Sequence, residues 1–121
     1  MKNTRSSFGK QGEIKAREYL VKKGYEIVKE NFRYNRAEVD LIAKDEENKI
    51  LVFVEVKSRR NKKFGEPEES VNEQKQQQLI NSAEGFLMNE TGYDNYDKRF
   101  DVIAIYSDGK NEIINHIENA F

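Results

Sequence analysis

The chain has 121 residues, of which 36% are hydrophobic and 36% charged, and its 21 basic and 22 acidic residues leave a formal net charge of −1. That is enough for one domain around one core, and the near-neutral balance means that a nucleic acid would have to be met by a local patch rather than by global attraction. With no cysteine and a single histidine, His116, disulfides, thiolate sites, multi-histidine zinc sites and a cysteine nucleophile are excluded, so chemistry must rest on carboxylates, lysines or hydroxyls.

The N-terminal MKNTRSSFGKQGE has no apolar stretch of the signal-peptide kind. No run approaches the roughly 18 apolar residues of a membrane span, so the expectation is a cytoplasmic protein with no membrane partner. Ser6 or Ser7 can cap a helix running to about Lys23, with Phe8, Gly12, Ala16, Tyr19 and Leu20 on one side and Gly24 as the stop. YEIVKENFRY, residues 25–34, predicts a first strand, and AEVDLIA, residues 37–43, alternates more cleanly and predicts a second. After the polar KDEEN, KILVFVEVK at 49–57 is nearly all apolar over its middle, the mark of a central strand covered on both faces. SRRNKKFGEPEES, residues 58–70, predicts a loop and contains the chain's one proline.

From Ser70 to about Met88, the residues Val71, Leu79, Ala83, Phe86 and Leu87 make an amphipathic helix, which NETGYDNYD breaks. RFDVIAIYS predicts a strand, DGK a tight turn and NEIINHI the last strand. The order α-β-β-β-α-β-β has no repeat or linker. It predicts one α/β domain over residues 1–121, a mixed central sheet flanked by helices.

Glu-x-Lys occurs four times, at Glu13/Lys15, Glu47/Lys49, Glu55/Lys57 and Glu73/Lys75, so the bare spacing carries little information. Only Glu55 and Lys57 lie on a predicted strand, where a period of two turns both side chains to one face at the end of a buried run. Asp40 lies on the preceding strand, and the short connection makes the two strands antiparallel, setting Asp40 opposite or diagonal to Glu55. Two carboxylates this close repel unless a proton or cation intervenes, and a hard cation such as Mg²⁺ accepts such a pair and leaves positions for water and a phosphate oxygen. Lys57 beside them could orient or help deprotonate a bound water and offset developing negative charge. The bland alternative is a salt-bridged cluster where two strands leave the core.

NFR at 31–33, AEVDLIA at 37–43, FVEVKSR at 53–59, FGEP at 64–67 and RFDVIAI at 99–105 together resemble, in order, the signature segments of the YraN-like uncharacterised proteins. These are small bacterial proteins related to Holliday-junction resolvases and restriction endonucleases. The resemblance implies a restriction-endonuclease-like fold and a divalent-metal-dependent endonuclease acting on DNA, with RNA left open. It matches Asp40 to a metal-binding aspartate, Glu55 and Lys57 to the Glu-x-Lys pair, and Glu13 to a further glutamate that related resolvases add. Asp40, Glu55 and the backbone carbonyl of Val56 would then hold Mg²⁺ or Mn²⁺, and a homodimer is implied by the same likeness. Ala37 stands where the family usually has glycine.

Arg59, Arg60, Lys62 and Lys63 form the best phosphate-contacting patch in the sequence, and Lys75 could face the site or a phosphate. Arg99 and Asp101 match family positions but read as a structural pair. His116 reads as sheet or edge structure, with nothing nearby to serve as nucleophile or second ligand. The alternative function is a nucleic-acid-binding or adaptor protein that keeps a nuclease-like fold with little or no turnover.

Overall fold

The structure, a computed structural model, describes residues 7–59, 71–107 and 110–121. Two helices and five strands alternate as expected: α1 (Ser7–Lys22), β1 (Glu26–Tyr34), β2 (Ala37–Asp45), β3 (Ile50–Arg59), α2 (Glu73–Asn89), β4 (Asp97–Ser107) and β5 (Glu112–Ile117). They build one mixed sheet in the order β1-β2-β3-β4-β5. Its β3–β4 pair is parallel and the others are antiparallel. The run ILVFV therefore becomes the middle strand, with Leu51, Val52, Phe53 and Val54 all fully buried. None of the described helices is long and apolar enough to cross a membrane.

Each helix covers one face. Ala16 and Leu20 of α1 pack with Leu41, Ala43, Val52, Val54, Ile103 and Ile105. On the other face, Leu79, Ala83 and Phe86 of α2 pack with Val39, Ile42, Leu51, Phe53 and Val102. Helix α1 ends as its sequence dictates, with Gly24 at a φ of 99°. Helix α2 starts later than the expected Ser70: Asn72 caps it, its side chain accepting from the Lys75 N–H at 2.8 Å. Ser58 and Arg59, expected in a loop, instead extend β3. Arg60 to Ser70, and most of the expected DGK turn, lie outside the described residues.

The expected clean alternation of β2 breaks at Asp40. Leu41 packs on the α1 side and Val39, two residues away, on the α2 side. The partner strand changes face at the same rung. Glu30, opposite Leu41, ion-pairs with Arg17 of α1, whereas Phe32, opposite Val39, packs on the α2 side. Between them stands Asn31 with a φ of 53°, a left-handed conformation that asparagine tolerates better than most residues. The tip of the β1–β2 hairpin is thereby turned toward α2, and the Tyr34 ring lies against Gly85.

A Cβ at Gly85 would meet Tyr34 ring carbons at 2.2–2.5 Å, the nearest being Cγ at the root of the ring, so the side chain has little room to yield. Gly85→Ala is expected to overpack this contact by about 1–3 kcal/mol, against about 1 kcal/mol gained in helix propensity. The prediction is a net loss of up to about 2 kcal/mol, read as a lower urea midpoint; a raised midpoint would contradict the contact.

Candidate functional site

The β2–β3 ladder ends at Leu41 opposite Val54. One step further its register sets Asp40 against Glu55, but the backbone pairing has stopped, and the Val56 N–H donates instead to Asp40 Oδ2 at 2.8 Å. A side chain thus satisfies a backbone donor that the neighbouring strand has released. Leu51 and Phe53 face α2, so strand period carries Glu55 and Lys57 to that same side, while Val56 packs toward α1.

The Glu55 side chain is only 13% exposed. Its Oε1 is buried without a hydrogen-bond partner among the described residues. The Lys75 ammonium of α2 lies 3.5 Å away, near enough to attract but without hydrogen-bond geometry. Burial, reinforced by the nearby Asp40 charge and only partly countered by Lys75 and Lys57, pushes the Glu55 carboxyl up to about 7. A carboxylate oxygen held dry and unbonded beside a second carboxylate suits a hard divalent cation, which needs only one or two such groups and otherwise keeps water.

The structure thus brings Asp40, Glu55, Val56 and Lys75 together, with Lys57 two residues on along the same side of β3. Glu13 is half-buried on α1. Helix α1 lies on the opposite face, where the neighbouring Gly12 packs so closely on Ser58 of β3 that a Cβ would sit 1.9 Å from its Oγ. Among the described residues no three carboxylate or histidine side chains are close enough to share a metal ion. Arg59 is half-buried, its guanidinium donating to the Ser58 carbonyl at 3.2 Å. Arg60, Lys62 and Lys63 lie outside the described residues.

His116 lies on the outer strand β5, in the sheet as expected, and its ring has polar neighbours that its sequence surroundings did not announce. Its Nε2 lies 2.7 Å from Asp101 Oδ2 and its Nδ1 3.0 Å from the Tyr19 hydroxyl. Asp101 is fully buried and also accepts two 2.9 Å bonds from Arg99, which reaches the Tyr25 hydroxyl at 2.7 Å. Burial opposes the Asp101 charge, yet the bonds from His116 and Arg99 outweigh it and hold the carboxyl below its usual range. Arg99 and Asp101 are therefore the structural pair expected. The one sequence signal for this network was an aspartate interrupting the apolar run of β4.

The sequence pattern of the uncharacterised protein family UPF0102 matches residues 12–105. A UPF0102 protein of Caldicellulosiruptor bescii is 49% identical over 115 residues, covering 93% of this chain and 95% of that protein. One from Thermodesulfovibrio yellowstonii is 48% identical over 117 residues, 97% of each chain. A third, from Chloroherpeton thalassium, is 44% identical over 106 residues, 88% of this chain and 80% of its own.

Two measurements check the electrostatics. The folded Glu55 pKa of about 7 exceeds the ordinary 4.5. Between those values the unfolded chain has lost a proton that the folded chain keeps, so stability falls as pH rises through the window and levels off above it, by about 3 kcal/mol in all. Glu55→Gln removes that fall, so without divalent cations the variant should be the more stable protein at pH 8; parallel pH profiles would refute the assignment. In Asp40→Asn, which keeps an acceptor for Val56, the Glu55 carboxyl should titrate lower than in the wild type but still above the ordinary value. Carbon-13 NMR of that carboxyl reads this directly, and an unmoved titration would mean that Asp40 does not act on it.

Proposed function

The chain belongs to the uncharacterised protein family UPF0102, and we propose that it is a divalent-metal-dependent endonuclease that hydrolyses phosphodiester bonds in DNA, branched DNA included. The observation that carries this reading is the buried Glu55 Oε1 beside Asp40, without a hydrogen-bond partner among the described residues and with lysines at hand from two elements. The likeness of the sequence segments to YraN-like proteins, and through them to resolvases and restriction endonucleases, supports the same chemistry.

Asp40, Glu55 and the carbonyl of Val56 are the groups that would hold Mg²⁺ or Mn²⁺. Bound there, the ion would supply a more acidic water and positive charge for a phosphate oxygen. Asp40 is held in place by the Val56 N–H, so its orientation is set before any substrate arrives. Lys57, on the Glu55 side of β3, would orient the attacking water and offset charge gathering on the phosphate. Lys75 keeps Glu55 partly neutralised and would turn to the substrate phosphate once Glu55 is otherwise compensated. Arg59, with Arg60, Lys62 and Lys63, would contact the phosphate backbone without reading sequence. Glu13, a homodimer and a cytoplasmic location enter from the family likeness and from the sequence alone.

One observation favours the second reading, a nucleic-acid-binding or adaptor protein with little turnover: the Lys75 ammonium already faces Glu55 where a cation would act. Incubation with four-way, flap, single-stranded and linear DNA in Mg²⁺ or Mn²⁺ separates the two. Cleavage is expected with at least one substrate, falling by about a hundredfold or more in Asp40→Asn and Lys57→Ala, the scale of a lost group that acts only in the transition state. If nothing is cut, or the variants cut as well as the wild type, the binding reading replaces the enzymatic one.

A further inference from the structure

Between the tip of the β1–β2 hairpin and α2 lies a cleft of about 690 Å³ that the chemistry above does not use. Tyr34, Asn35 and Arg36 line it from the hairpin. Gln78, Asn81, Glu84 and Met88 line it from the helix. Asn35, Arg36, Asn81 and Glu84 are exposed, and Met88 is 73% exposed, a large apolar side chain left in water. Gln78 also lines a smaller hollow with Asn72, Gln74 and Lys75, and the Lys75 ammonium lies 3.5 Å from Glu55. The cleft and that hollow thus share Gln78 on α2, and Lys75, one turn before Gln78, reaches toward the candidate site.

Its chemistry selects among occupants. A phosphate would meet Arg36 but be repelled by Glu84, and it has no use for amide oxygens. A nucleobase edge sets donors beside acceptors, which asparagine and glutamine amides match on both counts. A guanidinium suits the acceptors of a purine, and a carboxylate accepts from exocyclic amino groups. The faces of a base are flat and apolar, and Tyr34 offers a ring and Met88 an adaptable apolar thioether. A base stacked and paired within a duplex presents only its groove edge, so a base entering the cleft must be unpaired.

We propose that this cleft binds the base of an unpaired nucleotide on the strand whose phosphate occupies the Asp40–Glu55 site; the proposal rests on the nuclease reading and names its substrate class. From Lys75 to Asn81 the helix advances about 9 Å at 1.5 Å per residue. A stacked strand rises 3.4 Å per nucleotide and an unstacked one more, so the bound base lies about one to three nucleotides from the cleaved phosphate. The packing of Tyr34 on Gly85 fixes the two walls against each other, so the cleft stands ready before binding.

The test uses the full chain and flap or single-stranded DNA oligonucleotides carrying a single abasic position, scanned along the strand. Binding is measured by fluorescence anisotropy in EDTA, and the cut position is mapped separately in Mn²⁺. Removing the base one to three nucleotides from the cut should weaken wild-type binding about five- to a hundredfold, the range for one lost base contact. The double variant Arg36→Ala, Asn81→Ala alters two exposed side chains, and an unchanged unfolding midpoint will show that it folds. It should bind intact DNA more weakly by a similar factor and lose its sensitivity to the abasic position. A flat scan, or a double variant that binds intact DNA as tightly as wild type, overturns the cleft while cleavage stands. Neither binding nor cutting of any DNA by the wild type overturns both proposals.

Discussion

A single rung of the β1–β2 hairpin governs the molecule. Strands alternate faces strictly, so a side chain changes face only where a residue leaves the extended conformation, and here Asn31 does so opposite Asp40. Toward the hairpin tip the apolar side chains are thereby transferred to the α2 side: Phe32 and Val39 join the core under α2, and Tyr34 reaches Gly85. At the same rung β2 stops pairing with β3, and the Asp40 carboxylate accepts the released Val56 N–H. The sheet opens beside its most buried strand without leaving that donor unsatisfied.

The two faces treat buried carboxylates differently. Asp101 is surrounded by donors from Arg99, His116 and the Asn119 backbone, and it stays charged because each contact offsets part of its desolvation. Glu55 is nearly as enclosed, yet it faces another carboxylate and has one ammonium at 3.5 Å. One is a finished structural junction. The other retains capacity for a positive partner, and that asymmetry separates a group that holds the sheet together from one available for chemistry.

Much of this was legible in the sequence because it follows from short-range rules. The apolar density of ILVFV marked the central strand, period two put Glu55 and Lys57 on one side, and the brief KDEEN connection brought Asp40 alongside. The change of face at Asp40 was not legible, because Val39 and Leu41 are both apolar and satisfy either face equally well. Tyr19 and His116 are 97 residues apart, so no local pattern could announce their bond. The cleft residues escaped for a related reason: scattered amides and one arginine on exposed positions look like ordinary surface until the hairpin tip is turned against α2.

The kink at Asn31 has a second effect, on the outer margin of the sheet. Strand β1 is an edge, and edges present rows of backbone groups that another chain can extend. This edge is interrupted twice, by a register shift between Ile27 and Lys29 and by the left-handed Asn31. Lys29, Glu30 and Arg33 add exposed charge along it. The irregularity that opens the interior of the sheet therefore also blunts its border against extension by a further strand.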